Sequence, residues 1–172
     1  MNKDGTILLA DDSEDDLLLT KIAFQKAGVE NPLREVHNGE ETIAYLKGES
    51  PFDDRQQFPL PIILLMDLNM PRKNGFDVLS WLRAQKGLKR LTVIIFSASM
   101  RPEDVTKAFD LGANSFLLKP SSLEELTRTI KAIANWLSYT HFPSLTDGSD
   151  IRSIGKAGFA GFAPLNRRTT NQ

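Results

Sequence analysis

The sequence predicts an α/β fold, in which a parallel β-sheet carries α-helices on both faces. Five short strand-like runs alternate with five helix-like segments, and most of the links between them are short. Strand–helix alternation of this kind implies right-handed crossovers and parallel strands. At 172 residues, 41% of them hydrophobic and 25% charged, the chain is long enough for one such domain with an appendage.

The five predicted strands are short, and they cover residues 6–10, 33–37, 61–66, 92–96 and 115–118. The third and fourth runs are apolar throughout, which is typical of central parallel strands that are buried on both faces. The second run is weak and polar, so we expect it at an edge of the sheet.

Five helices are predicted to follow the strands. The first begins after Ser13, a suitable N-cap, and stops at Gly28. The others cover about 40–47, 75–86, 102–111 and 122–138, and Pro102 fits the first turn of the fourth. The last helix has one apolar stripe at steps of three and four residues, formed by Leu123, Leu126, Ile130, Ile133 and Leu137.

Two segments stand apart from this alternation. Residues 48–60 form a predicted loop that is longer than most connections in a compact domain. The composition then shifts to Gly, Ser, Thr and Asn from residue 142 onward. We therefore expect a domain at residues 1–140 and a flexible tail at 141–172, with no output domain.

Aromatic residues near this boundary have two interpretations. Trp136, Tyr139 and Phe142 exceed what the last helix needs for its buried stripe. They would either seal the tail onto the domain, which we favour, or form part of a partner surface. Phe159 and Phe162 would belong to a short docking segment or to a plain linker, and the sequence does not decide between these.

Composition excludes several kinds of site. The chain has no cysteine, which excludes disulfides, thiolate nucleophiles and cysteine-ligated zinc. Its two histidines, His37 and His141, are too few for a histidine-rich metal site and are expected at the surface. The net charge of -1 provides no field that would recruit nucleic acid or an anionic membrane. Because no stretch resembles a secretory signal or a membrane span, we expect a cytoplasmic protein.

Polar and charged residues directly follow four of the predicted strands. Asp11 and Asp12 follow the first, Asp67 the third, Ser97 the fourth and Lys119 the fifth. Open α/β sheets bind ligands in the crevice beyond the carboxyl ends of their strands, so these side chains are expected to converge there. Three carboxylates, a hydroxyl and an ammonium together suit a divalent cation and a phosphoryl group.

Four segments resemble, in this order, the motifs of the receiver domain of two-component response regulators. They are residues 8–13 (LLADDS), 66–75 (MDLNMPRKNG), 96–98 (FSA) and 116–120 (FLLKP). The resemblance covers residues 6–138 and implies a flavodoxin-like (βα)5 fold with a doubly wound five-stranded sheet of order 2-1-3-4-5. The long loop before the third strand and the lack of an output domain are similar to stand-alone regulators that partner bacteriophytochromes.

The resemblance implies the chemistry of a phosphoacceptor. Asp67 would attack a phosphohistidine on a partner kinase and form an aspartyl phosphate. Asp12 and Asp67 would ligate Mg²⁺ through carboxylates, the backbone carbonyl of Asn69 would be a further ligand, and Asp11 would act through water. Mg²⁺ prefers a few carboxylates together with waters and phosphate. Lys119 would pair with a phosphoryl oxygen as a compact point charge.

The resemblance also implies a conformational switch. Ser97 would hydrogen-bond the phosphoryl group and, in moving toward it, would leave space into which Phe116 rotates. The surface of the fourth helix, fifth strand and fifth helix would change as a result. A cis peptide bond between Lys119 and Pro120 would fix the direction of the lysine.

Some positions depart from the pattern or leave it open. Ser121 stands where receiver domains often have a bulky aromatic residue, so the packing beneath the fifth helix must differ. Phe116 stands where tyrosine is also common. Asn69 and Ser99 occupy the positions that tune autodephosphorylation, and both are small and polar, which gives no ranking of the phosphoryl lifetime.

The implied phosphodonor is a sensor histidine kinase, with a phytochrome-type kinase as one candidate, or a histidine phosphotransfer protein. The resemblance implies signalling through protein–protein contacts, with no nucleic acid and no membrane as partner. A homodimer through the last helices or strand is compatible with it. The chain is expected to be an acceptor with slow autodephosphorylation at most, and not an enzyme.

Two alternatives belong to other classes. Phosphatases of the haloacid dehalogenase type also form an aspartyl phosphate at a strand end, but they need a second carboxylate two residues after the nucleophile. Asn69 occupies that position and cannot act as their general acid. A phosphorylation-independent scaffold with a receiver fold is the second alternative, and it is disfavoured because every residue that the chemistry needs is present.

Overall fold

The computed structural model describes residues 5–99 and 101–146, in which five strands and five helices alternate as predicted. The strands are β1 (Ile7–Ala10), β2 (Leu33–Val36), β3 (Ile63–Met66), β4 (Thr92–Ser97) and β5 (Ser115–Leu118). The helices are α1 (Glu14–Lys26), α2 (Gly39–Lys47), α3 (Gly75–Ala84), α4 (Pro102–Asp110) and α5 (Leu123–Tyr139).

The strands form one parallel sheet in the order β2-β1-β3-β4-β5, which confirms the predicted topology. The polar strand β2 lies at an edge, and every residue of β1 and β3 is buried. Ala10 is in register with both Val36 and Met66. The carboxyl ends of these three strands are therefore level, which places the residues that follow them at one edge of the sheet.

A hydrophobic cluster covers each face of the sheet, because alternate side chains of a strand point to opposite faces. Ile7 and Leu9 contribute to the cluster under α1 and α5, whereas Leu8 contributes to the cluster under α2, α3 and α4. The apolar stripe predicted for α5 is buried at four of its five positions, Leu126, Ile130, Ile133 and Leu137.

Local sequence explains where most helices begin. The side chains of Ser13, Asn38, Asn74 and Ser122 each accept a backbone N–H at the start of α1, α2, α3 and α5, respectively. The end of α3 differs from the prediction by two residues, because the backbone is already extended at Gln85.

The long loop between α2 and β3 is packed against α2. The rings of Phe52 and Phe58 lie 5.3 and 5.9 Å from that of Tyr45. Arg55 donates hydrogen bonds to the carbonyl oxygens of Tyr45, Leu46 and Phe58. Its guanidinium thus supplies further donors to carbonyl groups in the last turn of α2, where the N–H of Gly48 also donates to Tyr45. The described part of the chain contains a cis peptide bond at Ser50–Pro51.

The first residues after α5 lie against the domain. Phe142 is partly buried, and its ring packs edge-on against Trp136 at 6.0 Å. Thr146 donates its backbone N–H to the carbonyl oxygen of Gly87 at 3.2 Å. The rest of the predicted tail, with Phe159 and Phe162, lies outside the described residues. Within residues 5–99 and 101–146, no helix is both long enough and apolar enough to cross a membrane.

Candidate functional site

Three carboxylates converge at the carboxyl edge of the sheet. Asp11 follows β1 and Asp67 follows β3, and the backbone N–H of Asp67 donates to the carbonyl of Ala10 at 2.9 Å. One carboxylate oxygen each from Asp11, Asp12 and Asp67, hereafter the acidic cluster, lies within 4.8 Å of the others. Asp11 and Asp67 are buried, whereas Asp12 is exposed. The cluster is thus open to solvent on one side.

The two oxygens of Asp67 have different surroundings. Oδ1 accepts the backbone N–H of Leu68 at 2.6 Å and, more weakly, that of Asn69 at 3.4 Å. Oδ2 lies 3.2 Å from Nζ of Lys119. The side chain is only about one-tenth exposed. Backbone hydrogen bonds therefore hold one oxygen while the other faces a cation, which orients a carboxylate for reaction.

Lys119 is surrounded by carboxylates. Its Nζ lies 2.6 Å from Oδ2 of Asp11, 2.8 Å from Oδ2 of Asp16 and 3.2 Å from Oδ2 of Asp67. Burial alone would lower the pKa of Lys119, but the hydrogen bonds to Asp11 and Asp16 and the charge of Asp67 outweigh it and raise that pKa. The ammonium is therefore charged throughout the physiological pH range.

Asp11 has the opposite balance. Burial raises the pKa of its carboxyl, and the hydrogen bond and charge of Lys119 offset this effect only in part. Its Oδ1 also accepts the backbone N–H of Ser13 at 3.1 Å. A nearby positive charge therefore stabilises the Asp11 carboxylate. Lys119 supplies that charge here, and a metal cation would also supply it.

Sequence reasoning did not assign Asp16 to the site. An acidic residue is favourable in the first turn of a helix, and Asp16 occupies such a position in α1. The contact with Lys119 joins residues 103 positions apart, and only the assembled sheet shows it.

Ser97 and Phe116 lie on the neighbouring strands β4 and β5. Ser97 is fully buried at the end of β4, and its carbonyl accepts the backbone N–H of Lys119 at 3.0 Å. Its hydroxyl oxygen accepts the backbone N–H of Ser99 at 3.4 Å. Phe116 is half-buried against the cluster under α3 and α4. Their predicted roles in a switch stay predictions.

Of the two residues predicted to tune dephosphorylation, one is exposed and the other is hydrogen-bonded to a carboxylate. Asn69 is exposed beside Asp67. The Ser99 hydroxyl donates to Oδ2 of Asp104 at 2.5 Å, and Arg101 also donates to both oxygens of that carboxylate. The hydrogen bonds from Ser99 and Arg101 lower the pKa of Asp104. Sequence reasoning did not identify Asp104, because its link to Ser99 depends on the start of α4.

The predicted cis bond at Lys119–Pro120 is wrong, since that peptide bond is trans. The direction of Lys119 has another cause here, namely the backbone hydrogen bond to Ser97 and the three carboxylates around Nζ. Gly75 closes the loop after Asp67, since its N–H donates to the carbonyl of Leu68 at 2.9 Å. A Cβ on Gly75 would lie 2.7 Å from the carbonyl oxygen of Asp67.

The donor set fits a hard divalent cation. Carboxylate oxygens are the ligands that Mg²⁺ and Mn²⁺ prefer in proteins, and the open side of the cluster leaves room for waters or phosphate. Among the described residues, the acidic cluster is the group of acidic or histidine side chains that lie close enough together to hold a metal ion. A nucleophilic carboxylate, a cation site and an ammonium are the components that phosphoryl transfer requires.

Comparisons with known proteins agree with this geometry. The family model of the response regulator receiver domain matches residues 7–131. Response regulator Rcp1 of Synechocystis sp. is 28% identical over 144 residues, which cover 83% of this chain and 96% of Rcp1. The crystal structure of its Mn²⁺-bound form covers 81% of this chain and 99% of its own, with a TM-score of 0.73.

Two further crystal structures are similar. The phosphorylated cyanobacterial phytochrome response regulator RcpA is 31% identical, with a TM-score of 0.75, and the match covers 82% of this chain and 99% of that one. A response regulator in red light signaling of R. palustris is 34% identical, with a TM-score of 0.77, and the match covers 81% of this chain and 99% of that one.

Proposed function

Because the chain belongs to the response regulator receiver domain family, and is thus a response regulator of a two-component system, we propose that it accepts a phosphoryl group on Asp67. The observation that carries this proposal is the position of the Asp67 carboxylate. One oxygen is held by the backbone of Leu68, and the other faces Lys119 inside the acidic cluster. The donor would be the phosphohistidine of a sensor histidine kinase or of a histidine phosphotransfer protein.

The transfer breaks one bond and forms one. An oxygen of Asp67 attacks the phosphorus atom, an O–P bond forms, and the N–P bond of the phosphohistidine breaks, which returns the electron pair to the imidazole. The attacking group must be ionised. The hydrogen bond to Oδ1 holds the carboxylate in place, and the ammonium facing Oδ2 lies close enough to offset its negative charge.

Asp12 and Asp67, with Asp11 acting through water, would hold Mg²⁺, and the backbone carbonyl of Asn69 is the further proposed ligand. Bound Mg²⁺ neutralises negative charge on a transferring phosphoryl group. Rcp1 has been crystallised in an Mn²⁺-bound form, which supports a divalent cation as cofactor. Lys119 would supply the second positive charge, and its buried stem and three acceptors keep the ammonium at the cluster.

The switch would start at Ser97, whose hydroxyl is bound only weakly in this structure, by the N–H of Ser99 at 3.4 Å. Turning toward the phosphoryl group would break that bond and vacate space for Phe116. The exposed surface of α4, β5 and α5 would change, and partners would read that change. Exposed apolar side chains already lie on this surface, among them Phe109, Leu118 and Trp136.

A phytochrome-type kinase is the phosphodonor that we propose, because RcpA is described as a phytochrome response regulator. RcpA is also phosphorylated in its crystal structure, which shows that a relative accepts the group. Signalling would proceed through protein contacts, and a homodimer is the simplest assembly that a surface on α4, β5 and α5 could form.

Intact mass spectrometry after incubation with acetyl phosphate tests the proposal. We expect the wild type to gain one phosphoryl group, about 80 Da, only when Mg²⁺ is present. Asp67→Asn should gain none, whereas Asp53→Asn, an exposed loop carboxylate outside the site, should behave as the wild type. If the wild type gains no mass from acetyl phosphate or from a phosphorylated kinase, the proposal fails and a phosphorylation-independent scaffold takes its place.

A further inference from the structure

The Asp16 carboxylate is the third acceptor of the Lys119 ammonium. Its Oδ2 lies 2.8 Å from Nζ, within the same range as the oxygens of Asp11 and Asp67. It differs from those two in position: it comes from the first turn of α1, its side chain is 41% exposed, and it is not among the three carboxylates that converge as a metal site.

The other two acceptors have a conflicting requirement. Asp11 and Asp67 contact Lys119, and both also belong to the acidic cluster that would hold a divalent cation. An ammonium and a divalent cation that share the same two carboxylates repel each other and compete for the same lone pairs. The affinity of the cluster for Mg²⁺ therefore depends on how firmly the ammonium is held elsewhere.

We propose that Asp16 is a positioning residue, which anchors the Lys119 ammonium so that Asp11 and Asp67 can serve a divalent cation. This inference rests on the proposed function of the acidic cluster as a Mg²⁺ site. An ammonium has three donors, and Asp16 keeps one of them on a carboxylate that the cation does not use. It also draws the positive charge toward α1 and away from Asp12, which Lys119 does not contact within ion-pair distance.

Neutralising Asp16 should weaken Mg²⁺ binding for two reasons that act in the same direction. The negative charge near the cation is reduced, and Lys119 is left to bind Asp11 and Asp67 more tightly. We expect Asp16→Asn to lower the Mg²⁺ affinity about threefold to tenfold, which is the effect of one negative charge lost near a partly solvated cation site. Asp15→Asn is the matched control, because Asp15 lies in the same helical turn and is exposed.

Isothermal titration of the unphosphorylated 172-residue chain with MgCl₂ measures the Mg²⁺ affinity directly. A Lys119→Met background separates action through the lysine from a simple effect of charge. If Asp16 acts by anchoring Lys119, the loss of affinity caused by Asp16→Asn should become clearly smaller once the ammonium is gone, because only the direct effect of the lost charge remains. Far-ultraviolet circular dichroism and a melting curve establish that each variant is folded.

The outcomes are distinguishable from a failure of the proposed function. If the wild type binds no Mg²⁺, the cation site itself is refuted. If the wild type binds Mg²⁺ and Asp16→Asn binds it as tightly as Asp15→Asn does, the anchoring role is refuted while the site stands. That comparison does not require the Lys119→Met variant to fold. An undiminished effect of Asp16→Asn without the lysine would also overturn the inference.

Discussion

Replacing Asp67 with Asn should make the metal-free protein more stable, although it removes an ion pair with Lys119. Two like charges of the acidic cluster, those of Asp11 and Asp12, lie close to Asp67, and the substitution removes their repulsion with its carboxylate. An asparagine keeps an oxygen that can accept the N–H of Leu68 in place of Oδ1. Lys119 retains Asp11 and Asp16 as acceptors after the substitution.

The magnitude follows from the distances. With an effective dielectric constant of about 20, the attraction between Asp67 and Lys119 at 3.2 Å is about 5 kcal/mol. Repulsion from each of two carboxylates within 4.8 Å is about 3.5 kcal/mol, or about 7 kcal/mol together. Because Asp12 is exposed and screened by solvent, we expect a net gain of about 1–2 kcal/mol in the free energy of unfolding and of about 3–6 °C in Tm.

Urea unfolding in EDTA, followed by circular dichroism, gives the difference in the free energy of unfolding between wild type and Asp67→Asn, provided that both have the same dependence on urea concentration. Asp53→Asn, with its exposed side chain, should change the free energy by no more than about 0.5 kcal/mol. Saturating Mg²⁺ should stabilise the wild type more than the variant, because the bound ion adds to the folded state alone. A variant that is less stable than the wild type in EDTA would show that attraction to Lys119 dominates and that the charge balance is wrong.

Three further predictions concern Gly75, in the turn after Asp67, and Tyr45 and Arg83, whose hydrogen bonds reach the segments that precede β3, β4 and β5. Burial raises the pKa of the Tyr45 hydroxyl, which donates to Pro59, to about 12. Unfolded tyrosine loses its proton near pH 10 while the folded one keeps it, so Tyr45 should contribute a fall in stability of roughly 2 kcal/mol from pH 10 to 12. In urea titrations of Tyr45→Phe the fall should be smaller by this amount, and the part that remains should include that of Lys119, whose pKa is also raised in the folded state. Gly75→Ala forces a Cβ against the carbonyl of Asp67, so it should lower the free energy of unfolding by about 1–3 kcal/mol and weaken Mg²⁺ binding. An unchanged Mg²⁺ affinity by isothermal titration would show that this turn does not affect the site. Arg83→Ala leaves the carbonyls of residues 89, 91 and 112 without a side-chain donor and should cost about 2–4 kcal/mol in urea unfolding, whereas exposed Arg90→Ala should cost under about 0.5 kcal/mol.

The sheet could be predicted from the sequence because its strands have a simple physical signature. Strands that are buried on both faces are expected to be apolar, and this holds for all of β3 and for residues 93–96 of β4. The polar edge strand β2 follows from the same argument. The residues at the ends of β1, β3 and β5 then have only one edge at which to meet, and this is why Asp11, Asp67 and Lys119 could be placed together.

Contacts between distant side chains could not be predicted in the same way. An aspartate in the first turn of a helix is favourable in itself, so the sequence of α1 gives no reason to look for a second role of Asp16. The bond between Ser99 and Asp104 likewise depends on where α4 begins relative to β4. The trans bond at Lys119–Pro120 shows the other limit, since a feature taken from a family resemblance is not dictated by these residues.

The ion pairs of Lys119 join the first strand and helix of the chain to the last strand, across 103 residues in the case of Asp16. During synthesis the acidic residues at β1 and β3 emerge long before the lysine that balances them. A chain whose sheet lacks β5 would therefore hold crowded carboxylates with no counter-charge, and contacts of such long sequence separation form late in folding. We expect the docking of β5 and α5 to be strongly cooperative with the rest of the domain. The acidic cluster would thus gain its counter-charge only once β5 has joined the sheet.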